Sequence, residues 1–398
     1  MPDSADVVVI GGGVVGSAIA YFLSCKRQKV ALVERRRAAS GTSGRCDGNV
    51  AIHDALSGYN CQLNKMSQDM FPAIAEELDA DIEWSRKGAV VLIENETEMT
   101  FAKPHCQTMV EFGMPFRLMD SYEVREDEPN LAEDILGGIE VSCDGSLNPM
   151  ALCIGLIRGA RKNGAIVYGG TTVTGIGLDA KGEVERVITS GGDIVTRTVV
   201  NAAGVWSPEV GRLVGLEIPV APRQGQLIVG ERSLPVARRK ITEMGYIMAK
   251  FERLDYCRDV TDDMERFGVA MVFEPTAALN FIIGSSRQFV GMDTTCDLSV
   301  LKAMAQRAMR FFPVLNDIRI IRTYAGLRPY TPDHMPIISD TPVPGFYIAT
   351  GHEGNGIGLS LITAKLMTQI IGRSEPEIDL EPLRFDRFKP DMLRGQTQ

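Results

Sequence analysis

Two glycine-rich loops and one arginine carry most of the chemistry open to this chain. Gly11-x-Gly13-x-x-Gly16 follows the apolar run Asp6 to Ile10 and opens a helical pattern through Ala18, Ile19, Phe22 and Leu23. A second apolar run, Val30 to Val33, ends at Glu34, 18 residues after Gly16. The first glycine permits a tight turn, the second lets backbone approach a pyrophosphate, and the third lets helix and strand pack closely. The helix N-terminus offers N–H groups and a partial positive charge to phosphates. Glu34 would accept hydrogen bonds from both ribose hydroxyls. The fingerprint alone leaves NAD and FAD open. Arg35-Arg36-Arg37 suggests a ribose 2′-phosphate, but Glu34 would repel one, and a solvated basic turn is the better reading.

The second loop decides between them. Gly351-His-Glu-Gly354-Asn355-Gly356-Ile357-Gly358 joins a strand pattern, Phe346 to Thr350, to a helical one, Leu359 to Ile371. Backbone N–H groups there can point at an electron-rich acceptor. A flavin's O2 and reduced N1 carry such charge, whereas a nicotinamide has no evident need for the loop. Arg328 offers a planar, permanently charged fork suited to a carboxylate, with a structural salt bridge as the alternative. His352 titrates near neutrality and could serve as a base; beside a glycine loop, a structural hydrogen bond is the competing role. Eight cysteines never approach within ten residues of one another and form no Cys-x-x-Cys, and His53, His105 and His334 lack ligand spacing, so no metal is expected. Cys46 reads as a packing thiol.

These residues need a scaffold. The opening βαβ pattern places the first loop at the carboxyl edge of a parallel sheet. Asn148 to Lys162 reads as a helix, with Asn148 as cap and Pro149 at the first position. Met66 to Leu78 and Glu96 to Glu111 look helical, and Ala89 to Glu94 a strand. An alternating hairpin surrounds Gly191-Gly192, and Arg197 to Asn201 is a buried strand. Short strands follow at Gln226 to Val229, Tyr246 to Met248, Val269 to Phe273 and Phe281 to Ser285, closed by a helix from Ser299 to Phe312. The expectation is an α/β chain in which a Rossmann-like nucleotide-binding domain is intertwined with a mainly antiparallel β substrate domain. The nucleotide-binding parts are 1–85, 146–220 and 323–398; the substrate parts are 86–145 and 221–322. A length of 398 residues, 44% of them hydrophobic, excludes disorder, and 40 glycines without a G-X-Y period exclude collagen. The net charge of −9 argues against a nucleic-acid partner. No stretch suits a spanning helix or a signal peptide, so the chain reads as cytosolic, or peripheral to a membrane through an electron acceptor.

Five segments resemble the FAD-dependent amino-acid and amine oxidoreductases, the family of glycine oxidase, monomeric sarcosine oxidase and D-amino-acid dehydrogenase. Flavin subunits of opine oxidase, hydrogen cyanide synthase and multi-subunit proline or hydroxyproline dehydrogenases are closest in look. The segments are Val7 to Gly16, Ser40 to Asn49, Val199 to Trp206, Pro222 to Gln226, and Ala325-Gly-Leu-Arg-Pro329 through Asp333 to the Gly351–Gly358 loop. The resemblance implies that Val14 and Val15 give backbone contacts to the pyrophosphate, while Glu34 and Arg35 hold the adenosine ribose. It places Thr42, Ser43 and the turn through Gly48 and Asn49 near the flavin. Val173 would hold adenine, Ala203 and Gly204 would approach the dinucleotide, and Gly354 to Gly358 would cover the pyrimidine end of the ring. Arg328 would bind substrate carboxylate and Tyr246 would orient substrate. Where the sarcosine oxidase type tethers FAD through a cysteine, this chain has Gly326, so FAD is expected to be noncovalent. Glycine oxidase carries an aromatic residue and an arginine after its last-loop histidine; here stand Glu353 and Gly354. A second carboxylate-binding arginine is thus missing there, and Glu353 would face a basic group or a neighbouring subunit.

The implied reaction is oxidation of a C–N bond in an amino acid, N-substituted or secondary, or in an opine-like substrate. Hydride would pass to flavin N5, leaving an imine. The chain is expected to act as a dehydrogenase subunit beside a protein that carries an electron-transfer centre. A stand-alone oxidase producing peroxide is the alternative. An NAD(P)-dependent dehydrogenase and a non-catalytic flavin-binding subunit are the readings from other classes.

Overall fold

The computed structural model describes residues 4–55, 58–250, 256 and 258–388. The first strand, β1 (Val7–Ile10), is wholly buried because both of its faces are covered. Val7 and Val9 join one apolar cluster and Val8 and Ile10 another, as a strand's alternation demands. Beside it runs β2 (Val30–Glu34), parallel and in register Val8 to Ala31. They sit inside a six-stranded sheet whose spatial order is Ile337–Asp340, Phe346–Thr350, Val199–Asn201, β1, β2 and Ile166–Gly169. All neighbours run parallel except the antiparallel pair at the Ile337–Asp340 edge.

Helix α1 (Val14–Cys25) packs with the helices Pro149–Lys162 and Ser360–Gly372 on one face of this sheet. Gly159 makes the close approach possible: a Cβ there would stand 2.6 Å from the Tyr21 ring. A three-stranded antiparallel sheet, Val173–Leu178, Val184–Thr189 and Gly192–Val195, contributes Ile176, Val187 and Ile194 to the apolar cluster on the other face.

The second large sheet has eight strands. Its order is Ile320–Tyr330, Ala221–Gly230, Phe281–Gly284, Val272–Pro275, Lys240–Glu243, Ala89–Ile93, Gly137–Val141 and Phe116–Asp120. Only Lys240–Glu243 and Ala89–Ile93 pair in parallel. The helix Leu298–Phe311 buries Val300, Leu301, Met304 and Ala308 in the apolar cluster shared with this sheet.

Several sequence expectations need correction. Tyr246–Met248 lies in the helix Met244–Lys250, not in a strand. A short apolar run carries no period able to separate the two. The expected helix from Met66 to Leu78 is two helices, Tyr59–Gln68 and Phe71–Glu77, and the second starts with a proline in its first turn. The long strand Ile320–Tyr330, read in the sequence only as a motif around Arg328, pairs with Ala221–Gly230 over ten positions.

Candidate active site

A continuous cleft runs from the end of β2, past the start of α1, to the inner surface of the eight-stranded sheet. Its walls include Gly11, Gly13, Val14, Val15, Glu34, Arg35, Thr42, Ser43, Asn49, Val173, Ala203, Gly204, Tyr246, Arg328, His352 and Gly354 to Ile357. Gly16, Gly48 and Gly358, named with them in the sequence reading, lie behind the wall instead. At Gly16 a Cβ would stand 2.0 Å from the Gly11 carbonyl, so this glycine holds helix against loop. The Gly48 N–H donates to Glu274 Oε1 at 2.9 Å. The Gly358 carbonyl accepts from the buried Ser67 hydroxyl.

The end of the cleft at β2 is built for a dinucleotide. Gly11 has φ +110°, and a Cβ would meet the Ala202 carbonyl at 2.5 Å, so only glycine lets the two strand ends converge. Helix α1 begins at Val14, whose N–H donates to Ser43 Oγ at 3.0 Å, fixing the Thr42–Gly44 turn beside the start of the helix. Glu34 Oε2 accepts from Gly12 N at 2.7 Å and Oε1 from Arg36 N at 2.8 Å. Each oxygen keeps a lone pair for a ribose hydroxyl. The Arg35 guanidinium lies 4.0 Å over the Trp206 ring.

The middle of the cleft carries an unused acceptor. Asn49 Oδ1 is buried without a hydrogen-bond partner among the described residues, a cost of about 1–3 kcal/mol unless a ligand donates to it. The residues therefore fit a cofactor with a dinucleotide tail and a polar ring. A covalent tether from position 326 does not fit, because a Cβ on Gly326 would lie 2.2 Å from the Arg45 carbonyl. The hydroxyl of Thr42 donates to the Leu327 carbonyl at 2.6 Å, fastening the cofactor turn to the strand that bears Arg328. The thiol of Cys46 also lines the cleft; burial pushes its pKa well above the ordinary range, which suits packing and not attack.

Arg328 occupies space left by Gly225 on the neighbouring strand, where a Cβ would meet the guanidinium at 2.3 Å. It donates to Ser285 Oγ at 2.8 Å and to the Ser286 carbonyl at 3.1 Å. Protein atoms surround the guanidinium, yet part of the side chain stays open to the cleft. Burial lowers its pKa, and no carboxylate among the described residues comes within salt-bridge distance. The salt-bridge alternative for Arg328 thus has no partner there. His352 is 4% exposed, its Nε2 sits 2.9 Å from Thr363 Oγ1, and burial lowers its pKa to about 4. It is a neutral ring tying the glycine loop to the following helix.

Other wall residues escaped the sequence reading. Lys240 Nζ lies 3.2 Å from Asp47 Oδ2 and 3.5 Å from Glu274 Oε2. Burial opposes its charge, but Asp47 and Glu274 outweigh it and raise its pKa, while burial pushes Glu274 up to about 7. His53 Nδ1 is 2.6 Å from Asp144 Oδ2, with Thr242 Oγ1 3.1 Å from its Nε2. Glu353 pairs with Arg223, the basic group that the sequence left unnamed. A second, wider cleft on the far side shares Ser40, Ser43, Arg45, Cys46 and Lys240 with the first. Among the described residues no helix is long and apolar enough to cross a membrane.

Comparison with known proteins bears on the same features. A family model described as FAD dependent oxidoreductase matches residues 6–370. Hydrogen cyanide synthase subunit HcnC of Pseudomonas protegens is 28% identical over 99% of this chain and 98% of its own length. Glycine oxidase of Geobacillus kaustophilus is 28% identical over 96% of this chain and 97% of its own. A crystal structure of glycine oxidase from Geobacillus kaustophilus superposes with a TM-score of 0.87 at 26% identity, covering 97% of this chain and all of that one.

Proposed function

We propose that this chain, which belongs to the FAD-dependent oxidoreductase family, oxidises the C–N bond of a secondary or N-substituted amino acid whose carboxylate rests on Arg328. It is an FAD-dependent amino-acid or amine oxidoreductase. The observation that carries the finer reading is Arg328 on the cleft wall, its guanidinium held by Ser285 and Ser286, with no carboxylate within salt-bridge distance among the described residues.

When bound, FAD supplies a two-electron acceptor; the remaining work falls to the chain's own residues. Backbone at Gly11, Gly13, Val14 and Val15 receives the pyrophosphate, Glu34 and Arg35 the adenosine ribose, and Thr172–Val173 the adenine. Thr42, Ser43, Asn49, Ala203, Gly204 and the Gly354–Ile357 loop line the remainder of the cofactor, which binds noncovalently. The fork of Arg328 fixes the substrate carboxylate in two directions, and the Tyr246 ring closes the same side, so the Cα–H has one orientation. Neutral His352 holds the loop and moves no proton near neutral pH. The substrate amine enters unprotonated, and its lone pair assists as the C–H bond is lost; water then hydrolyses the imine.

The chain works as a dehydrogenase subunit that passes electrons to a partner protein. Support comes from the relative that is itself named a subunit, HcnC, and from the second cleft, which shares a wall with the first. The isolated chain, loaded with FAD, should reduce a dye with N-alkyl amino acids and form peroxide slowly. Fast peroxide formation by the chain alone would establish the stand-alone oxidase instead.

A further inference from the structure

The wall shared by the two clefts holds a buried ammonium. Lys240 lines both clefts, whereas Asp47 lines the cofactor cleft and Glu274 the wider one on the far side. Its Nζ stands 3.2 Å from Asp47 Oδ2 and 3.5 Å from Glu274 Oε2, and the side chains of Lys240 and Glu274 are only 5% and 6% exposed. The fold builds this arrangement. Lys240–Glu243 and Val272–Pro275 pair antiparallel with Ile241 opposite Phe273, which sets Lys240 across from Glu274. The Gly48 N–H donates to Glu274 Oε1 at 2.9 Å, so the loop that carries Asp47 is fastened to the same carboxylate. Arg37, Lys87 and Arg322 on the wall of the wider cleft are exposed, so water reaches the cleft that Glu274 lines.

Two carboxylates around one ammonium leave a net negative charge in a buried place, which is costly, and uptake of one proton removes it. Burial lifts Glu274 to about 7, so this acid takes and releases a proton near neutral pH. Burial opposes the charge on Lys240, but Asp47 and Glu274 outweigh it. The other titratable groups facing the three are Asp54, Cys46, Tyr324 and Arg328. Burial raises the Cys46 thiol and the Tyr324 hydroxyl, so neither gives up its proton near neutral pH.

The reaction leaves a proton to dispose of. The hydrogen taken from the substrate as hydride is one proton with two electrons, and an acceptor that takes electrons alone leaves the proton behind. We propose that Asp47, Lys240 and Glu274 form a relay that carries this proton from the cofactor cleft to water in the wider cleft. Asp47 takes the proton, Lys240 receives it while giving one of its own to Glu274, and Glu274 releases one to water. Each member ends as it began, two electrons have gone to the partner's one-electron acceptor, and one proton has gone to solvent. This rests on the dehydrogenase reading above, since an oxidase would keep that hydrogen in peroxide.

The test needs no substrate. FAD-loaded protein is reduced anaerobically with light and EDTA, then mixed with ferricyanide, which takes electrons alone, or with dichlorophenolindophenol, which takes hydrogen with them. Return of the flavin absorbance gives both rates, and an indicator dye follows proton release. Glu274→Gln and Lys240→Met should each lower the ferricyanide-to-indophenol rate ratio about 100-fold, the low end of what a positioned proton carrier contributes, and delay proton release to match. The ratio cancels a general loss of folded protein. Lys240→Arg keeps the charge but cannot shed a proton, so it should fall with the other two, whereas a merely structural ion pair would be rescued. On the FAD-free protein, infrared spectra of wild type minus Glu274→Gln should show a carboxylic acid band that titrates near pH 7. A rate ratio in Glu274→Gln within about threefold of wild type, restoration by Lys240→Arg, or absence of that band overturns the relay. Fast peroxide formation when air is admitted to the light-reduced wild type overturns the dehydrogenase reading instead.

Discussion

Replacing Arg328 by methionine should separate function from stability. The guanidinium makes two hydrogen bonds to protein, at 2.8 Å to Ser285 Oγ and 3.1 Å to the Ser286 carbonyl. Removing it relieves a buried charge with no acidic partner among the described residues, a gain of about 1–4 kcal/mol by analogy with other buried ions. It also orphans the Ser286 carbonyl, at about 1–3 kcal/mol. The two nearly cancel, so the melting temperature of the FAD-loaded variant should stay within a few degrees of wild type. Turnover behaves differently. Loss of a bidentate, desolvated partner for the substrate carboxylate costs about 2–5 kcal/mol, and at about 1.4 kcal/mol per decade kcat/KM should fall roughly 30- to 3,000-fold. Arg328→Lys keeps charge without the fork and should fall between. Anaerobic dye reduction measures the first quantity; FAD content and thermal melts measure the others. A kcat/KM within threefold of wild type across an amino-acid panel, with FAD retained, would refute the assignment.

Gly16→Ala places a Cβ 2.0 Å from the Gly11 carbonyl, so α1 must move off the loop, and the flavin-to-protein absorbance ratio should drop markedly; full yellow colour would show that the contact is not needed. Acid precipitation of the holoprotein should leave a colourless pellet, since position 326 has no room for a tether, and a yellow pellet would establish a covalent link elsewhere. His352→Gln should leave the pH profile of kcat/KM unchanged in shape from pH 5.5 to 8, because burial keeps the ring's pKa near 4; loss of an acidic limb in the variant would assign that limb to His352. Glu98 is buried, accepts from the Tyr256 hydroxyl and Glu94 N, and burial lifts its pKa from 4.5 to about 7. With the folded value raised, its contribution is fully present below pH 4.5 and is lost as pH rises through 7, amounting to about 3 kcal/mol. Glu98→Gln should therefore gain on wild type by that amount between pH 4.5 and 8 in denaturant titrations, and parallel curves would contradict it.

The legible parts of this chain are those in which local spacing sets how backbone meets backbone. Gly11, Gly13, Gly16 and Glu34 stand out because that fingerprint depends on local spacing, and the structure sets Gly11, Gly13 and Glu34 on the cleft wall with Gly16 packed against the Gly11 carbonyl. Asn148 as cap held too: its side chain accepts from Met150 N and Ala151 N. The illegible parts depend on distant pairing. Lys240 and Asp47 are 193 residues apart, and His53 and Asp144 are 91 apart, so no window shows both members. Arg223, Arg287 and Arg328 look alike in sequence, and only the pairing of Glu353 with Arg223 separates the satisfied one from the two that lack an acid among the described residues. The three residues Tyr246 to Met248 have no decisive period and suggest a strand, and their helix becomes visible only through packing against Ala89–Ile93.

That division of legibility follows how the cleft is assembled. One half comes from loops at the carboxyl ends of parallel strands, where geometry is set by main chain and a side chain would intrude, as at Gly11. The other half comes from side chains on one face of the eight-stranded sheet, where register puts Arg223 opposite Arg328 and Gly225 opposite Gly326. The halves are joined by the Thr42 hydroxyl on the Leu327 carbonyl, the Gly48 N–H on Glu274, the Tyr324 hydroxyl on the Cys46 carbonyl, and Lys240 beside Asp47. Lys240, Glu274 and Tyr324 on the sheet therefore brace residues 46–48 of the loop, and a change in register would move Arg328 and the backbone against Arg45 together.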